Sequence, residues 1–116
     1  MDKEVESMRE SILYWMAEFI ANDDNPPYQL SQVEYCGELL NTFAGNVMLS
    51  GKKADRSWVD AQAKALVLAL NDLNKQCGEC LIETDQREGI CELIFYVVAQ
   101  AGHSVEEDIT ENWRDW

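Results

Sequence analysis

We expect the rest of this 116-residue chain to be arranged around the stretch SWVDAQAKALVLALNDLNKQC, residues 57–77. Its large apolar residues recur every three or four positions, which places one seam along a helix: Val59, Ala63, Leu66, Leu70, Leu73 and Cys77. Further apolar residues fill the sides of that seam: Ala61, Ala65, Val67, Leu68 and Ala69. A helix that is apolar nearly all round must be covered on several sides. The stretch therefore predicts the central helix of a bundle.

Two more helices are predicted before this stretch. Residues 2–22 keep a helical apolar period that includes Trp15 and Phe19, and the proline pair 26–27 ends the segment because proline lacks a backbone donor. Asp2 is the expected N-terminal cap. Residues 31–34 have the form of a capping box, which predicts that the second helix begins there.

Small residues form a strip beside the apolar face of the second helix: Gly37, Asn41, Ala44 and Gly45. Each interior glycine costs a helix about 1 kcal/mol relative to alanine, so we expect a neighbouring helix to approach closely at this strip. Gly51 is expected to end the helix. Lys52, Lys53 and Arg56 follow as the one basic cluster of the chain, and we interpret them as a solvated loop.

A fourth helix is predicted from Thr84 or Asp85 to Gly102, with Asp85 and Glu88 at capping-box spacing. A strand at residues 95–98 is the alternative, but the length and both caps favour a helix. In the tail, Ile109, Trp113 and Trp116 are spaced by four and three, as on one edge of a short helix. The predicted fold is all-α: one domain, residues 1–116, with four main helices and a short C-terminal helical segment.

The charge of the chain limits its partners. With 22 acidic and 9 basic residues, the net charge is -13, which repels nucleic acid and anionic membranes and favours a basic protein. The charged N-terminal residues include no apolar signal segment, and no apolar run reaches the roughly 18 residues of a membrane span. We therefore expect a cytoplasmic protein with reduced cysteines.

The cysteines and the single histidine allow metal or redox chemistry, which is an alternative to a binding function. Cys77 and Cys80 form a Cys-x-x-Cys motif, and with Cys91 and the single histidine, His103, they could hold zinc or act in redox chemistry. However, the motif follows a helix rather than a strand, and no second close ligand pair exists. We predict buried or half-buried thiols, no metal site, no cofactor and no catalytic residue, with His103 at the negative end of the fourth helix.

Acidic residues are concentrated after residue 76, where only Arg87 and Arg114 are basic. Self-repulsion of this size destabilises a fold, so a function that uses the charge is a reasonable hypothesis. The predicted partner-binding residues are the carboxylates Asp85, Glu88, Glu92, Glu106, Glu107, Asp108 and Glu111, with Trp113 and Trp116 as candidate anchors.

The tail sequence EEDITENWRDW, after an apolar helix that ends in Ala-Gly, resembles the C-terminus of small acidic bacterial proteins. In size and charge, the chain is also similar to the immunity proteins of bacterial toxin systems. These resemblances imply a non-enzymatic inhibitor that neutralises a basic toxin or nucleic-acid-binding protein, and they assign no individual residue.

The leading hypothesis is thus an acidic module, monomer or homodimer, that binds a basic protein. Its carboxylates would replace nucleic-acid phosphates and accelerate the encounter, and an aromatic anchor would slow dissociation. One alternative is a small helical scaffold or oligomer subunit that uses the strip at Gly37, Asn41 and Gly45. The other is a thiol or zinc protein that uses Cys77 and Cys80.

Overall fold

Four α-helices make up most of the computed structural model, which describes residues 2–50 and 55–116. They are α1 (Lys3–Ala21), α2 (Leu30–Ser50), α3 (Arg56–Gln76) and α4 (Thr84–Gln100), and a 3-10 turn follows at Ile109–Asn112. No strand occurs among the described residues, and residues 95–98 lie within α4. The predicted all-α bundle of four main helices with a short C-terminal helical segment is confirmed.

The helix starts follow local hydrogen bonding. Asp2 caps α1 as predicted, because its Oδ1 accepts from the backbone N–H of Glu4 at 2.7 Å. The residues predicted for the capping boxes of α2 and α4 are wrong, because α2 begins at Leu30 and the capping box of α4 is formed by Glu83 and Gln86. In both helices the side chain of a glutamine at the third helical position accepts a hydrogen bond from the backbone N–H of the residue before the helix. Gln32 accepts from Gln29 at 2.9 Å, and Gln86 accepts from Glu83 at 3.2 Å.

At the C-terminal end of α4, the chain reverses direction in a turn that is closed by a backbone hydrogen bond. Gly102 has a φ of 90°, a conformation that favours glycine, and the N–H of His103 donates to the carbonyl of Val98 at 3.3 Å. The predicted close of this helix at Gly102 is confirmed. The predicted stop at Gly51 and the basic residues Lys52 and Lys53 lie outside the described residues.

The central helix of the bundle is α2, and the prediction that α3 occupies that position is wrong. Helix α2 packs against α1, α3 and α4, whereas α3 packs mainly against α2 and the C-terminal turn. Every residue of the predicted α3 seam is buried, but Ala61, Ala65 and Leu68 are exposed. One face of α3 therefore lacks the cover that its composition predicts.

Glycines allow α1 to approach both of its neighbours. A Cβ at Gly37 of α2 would lie 2.7 Å from Leu13 Cδ1, and a Cβ at Gly89 of α4 would lie 2.9 Å from Ile12 Cγ1. The expected close approach is confirmed at Gly37, whereas Gly45 has no neighbour within 4 Å. None of the helices in the described part of the chain is long and apolar enough to cross a membrane.

Candidate protein-binding groove

A groove runs between α1 and the first half of α4. It has two connected parts, of about 270 and 430 Å³, which share Trp15 and Gln86. We call this feature the α1–α4 groove; it is lined by Ser7, Met8, Ser11, Ile12, Trp15, Glu18, Phe19, Asn22, Asp23, Asp85, Gln86, Gly89 and Glu92.

Aromatic side chains stand exposed along the α1 side of the groove. Trp15 is 59% exposed and Phe19 is 43% exposed, one helical turn apart. Tyr14 packs edge-on against Trp15, and Tyr28 stacks on Phe19 with ring centroids 5.7 Å apart. These contacts hold the two groove-lining rings beside the groove while each keeps a solvent-facing surface.

The helical geometry of α1 explains why these rings are exposed. Met16 is fully buried in the core, and Trp15 directly precedes it in the sequence. Because successive helical residues point about 100° apart, the core cannot cover both side chains fully. The signal in the sequence is therefore the adjacent apolar pair Trp15 and Met16, of which the core covers only Met16 fully.

The charge of the groove has one sign. Glu18, Asp23, Asp85 and Glu92 line it, and none of the described lining residues is basic. The floor is formed partly by Gly89, where the absence of a side chain lets α4 lie directly over Ile12. An apolar floor with carboxylates on both sides fits a ligand that is apolar along one edge and cationic at its tips.

Two of the predicted partner-binding residues, Asp85 and Glu92, belong to the α1–α4 groove, and Glu88 is exposed between them on α4. Spacings of three and four residues place the three carboxylates on neighbouring positions of one helix surface. The sequence-based prediction named these carboxylates but no groove. It missed Glu18 and Asp23, because no pattern in the sequence pairs the end of α1 with the start of α4.

The predicted tail carboxylates lie elsewhere. Glu106 and Glu107 are exposed beside Arg56 at the start of α3, and Glu111 is also exposed. Asp108 is engaged internally, because Arg114 Nη2 lies 2.9 Å from its Oδ2 and the Thr110 N–H donates to its Oδ1 at 2.9 Å. The structure thus divides the predicted acidic set into an α4 group and a tail group.

The C-terminal segment, residues 104–116, bridges α3 and α4. Asn71 of α3 donates its side-chain amide to the Trp113 carbonyl at 2.8 Å and accepts the Asp115 N–H at 3.2 Å. On the other side, the buried Thr110 hydroxyl lies 3.5 Å from Cys91 Sγ of α4. Trp113 and Trp116 are partly buried against the core, so this segment docks on its own bundle.

Three of the four free thiols, Cys36, Cys77 and Cys91, are buried, and Cys80 is half-buried. Burial raises the pKa of Cys36 to about 12 and also raises the pKa values of Cys77 and Cys91. A raised pKa keeps a thiol protonated, whereas thiolates are the reactive and metal-binding form. Among the described residues, no three His, Cys, Asp or Glu side chains are grouped to hold a metal ion.

The α1–α4 groove therefore combines exposed aromatic surface with carboxylates that no basic lining residue neutralises, within the part of the chain that the structure describes. No protein-family model, curated protein or solved structure matches this chain.

Proposed function

We propose that this protein binds a basic protein through the α1–α4 groove and performs no catalysis itself. The observation that carries the proposal is the presence of Trp15 and Phe19, both exposed, among four lining carboxylates. Aromatic side chains dominate the binding energy of many interfaces, and complementary charge gives specificity and speed. The partner element that fits is a segment with an apolar edge and lysine or arginine tips.

The two acidic groups have different roles in this proposal. Asp85, Glu88 and Glu92 lie in or beside the groove, where they would contact the partner's cations directly. Glu106, Glu107 and Glu111 are exposed on the docked C-terminal segment and add to the field that attracts a basic molecule from a distance. Asp108, Trp113 and Trp116 hold that segment in place.

An immunity or inhibitor protein that neutralises a nuclease toxin is the narrower form of the proposal. The substrate surface of a nuclease is basic because it must bind phosphates, and an acidic groove competes for the same cations. The resemblance of the chain to immunity proteins in size and charge supports this form. A nucleic-acid-binding protein without toxicity would fit the same groove.

The experiment begins with capture from the native host at low salt, followed by identification and purification of the bound protein. Binding kinetics are then measured for the wild type, Trp15→Ala and the double variant Asp85→Asn with Glu92→Gln. We expect a partner with a net positive charge and an affinity that falls as salt rises. Trp15→Ala should raise the dissociation rate by about tenfold or more, as the loss of an interface anchor does.

The matched control removes the same number of charges from the tail, as Glu106→Gln with Glu107→Gln. This variant should slow association and leave the dissociation rate unchanged, because exposed distant charges act on the encounter. Capture of an acidic protein would contradict the proposed function. So would an affinity that changes neither with salt concentration nor with the Trp15→Ala substitution.

A further inference from the structure

The uncovered face of α3 is a second surface that the proposed function does not use. Its exposed residues Trp58, Ala61, Ala65 and Leu68 are spaced by three, four and three, which is the period of a helix seam that meets another helix. Leu68 is 44% exposed and Trp58 is 39% exposed. We call these four residues the α3 outer seam.

A groove follows this seam on the side of α2. It has a volume of about 130 Å³, and its lining includes Leu39, Phe43, Ala65 and Leu66. The exposed alanines of the seam have small side chains, so another helix can approach the α3 backbone closely there. A leucine carried by that second helix would find an apolar recess beside the seam.

Charge indicates which partner fits this face. Helix α3 carries three basic and two acidic residues, whereas α1, α2 and α4 each carry more acidic than basic residues. Asp60 forms an ion pair with Arg56, with Nε and Oδ1 2.9 Å apart. Between Ser57 and Leu68, the only charged side chain that is exposed is Lys64.

We infer that the α3 outer seam is the interface of a homodimer in which α3 packs against α3 of a second copy. Two molecules of charge -13 repel each other at their acidic surfaces, whereas this face of α3 carries one exposed carboxylate, Asp72, and one exposed cation, Lys64, so two copies can meet here with little repulsion. The same face supplies both the knob, Leu68, and the apolar recess beside Ala65, as a two-fold symmetric interface requires. A basic hetero-partner would meet one exposed carboxylate on this face, Asp72, together with the exposed cation Lys64.

This inference is independent of the proposed function and adds a consequence to it. Helix α3 packs mainly on α2 and the C-terminal turn, whereas the α1–α4 groove is formed by the other two helices. Dimerisation through the seam therefore leaves both copies of the groove open. A complex with a monomeric basic partner should then contain two copies of each chain.

Sedimentation velocity over a range from micromolar to millimolar protein tests the dimer directly. The wild type should shift from a 13.3 kDa species to one of twice that mass as its concentration rises. Leu68→Glu should weaken the dimer by about a hundredfold or more. The substitution removes a leucine that the dimer interface buries, and it places two carboxylates opposite each other across the two-fold axis.

The matched control is Leu30→Glu, which changes a leucine of similar exposure, 53%, at the start of α2. This variant should dimerise as the wild type does, and circular dichroism should show that both variants fold. A wild type that remains monomeric at millimolar concentration overturns the inference. Equal effects of the two substitutions would also overturn it, and loss of hetero-partner binding in a monomeric Leu68→Glu variant would assign the seam to that partner instead.

Discussion

At the scale of the residue, Asp108 shows how one carboxyl group fixes a segment. Burial opposes its ionisation, but hydrogen bonds from Thr110 and Arg114 outweigh burial and lower the pKa of Asp108. Its ion pair with Arg114 and its hydrogen bonds to Thr110 hold the C-terminal turn in one conformation. The same turn places Thr110 against Cys91, so a surface carboxylate orders a buried contact.

The pH dependence of this contribution has a definite sign. Because the pKa of Asp108 is lower in the folded protein than its ordinary value of 3.8, the stabilisation is complete above that value and is lost as the pH falls through the folded pKa. At neutral pH, Asp108→Asn should reduce the free energy of unfolding by about 1 to 2 kcal/mol. The difference between the variant and the wild type should shrink below pH 4. Urea denaturation at neutral and acid pH measures both quantities.

A control for this prediction is Glu107→Gln, the neighbouring exposed carboxylate. Its substitution should change stability by less than about 0.5 kcal/mol, as for most surface changes. If Asp108→Asn costs no more than Glu107→Gln at neutral pH, the hydrogen bonds of Asp108 do not contribute as described.

At the scale of the element, α1 shows that glycines control how closely helices pack. Gly89 lies over Ile12, a buried residue whose Cγ1 is close to its own backbone and cannot move away easily. Gly45 of α2 faces open space. The two positions carry the same residue in the same kind of structure, but only one of them is needed for packing.

Alanine substitutions at these glycines should have opposite effects. Gly45→Ala should raise the free energy of unfolding by about 0.5 to 1 kcal/mol, because alanine is the better helix former and nothing obstructs its methyl group. Gly89→Ala should lower it by about 1 kcal/mol, because overpacking against Ile12 exceeds the gain in helix propensity. Thermal and urea unfolding of the two variants measure the difference, and stabilisation by Gly89→Ala would mean that α1 and α4 can separate at little cost.

At the scale of the whole molecule, charge is distributed unevenly over the helices. Only α3 has an excess of basic residues, and the other three helices and the tail are acidic. The two proposed surfaces follow this division: a basic partner at the α1–α4 groove and a second copy at the α3 outer seam. The surface proposed to bind a basic protein is thus distinct from the surface proposed to bind a second copy.

The net charge also predicts how stability responds to salt. The Debye length falls from about 30 Å at 0.01 M salt to about 8 Å at 0.15 M, and the molecule measures 48 × 28 × 20 Å. Repulsion across the whole molecule is therefore strong at the lower concentration and screened at the higher one. The melting temperature should rise by roughly 4 °C over this range of sodium chloride, equivalent to about 1 kcal/mol.

This prediction is checked by calorimetry at dilute protein concentration, with potassium chloride as a control for ion-specific effects. An equal rise with both salts indicates screening. A melting temperature that stays constant or falls would show that favourable ion pairs, such as Lys75 with Asp115 at 3.1 Å, balance the repulsion.

The four helices could be predicted from the sequence, and so could most of their core-facing residues, with Trp15, Phe19 and Leu68 as exceptions. The apolar period, the glycine stop at Gly102 and the Asp2 cap are local properties, and the predicted α3 seam from Val59 to Cys77 is buried throughout. The sequence also indicated the acidic character of α4, because Asp85, Glu88 and Glu92 share a helix surface at fixed spacing.

The position of the central helix and the location of the groove could not be predicted from the sequence. An apolar face indicates that a helix must be buried against another element. Which neighbour buries it depends on the packing of all four helices. For that reason α2 took the central place, and one side of α3 remained open. Trp15 and Asp85 meet across the α1–α4 groove although 70 positions separate them in the chain, and no local pattern encodes such a contact.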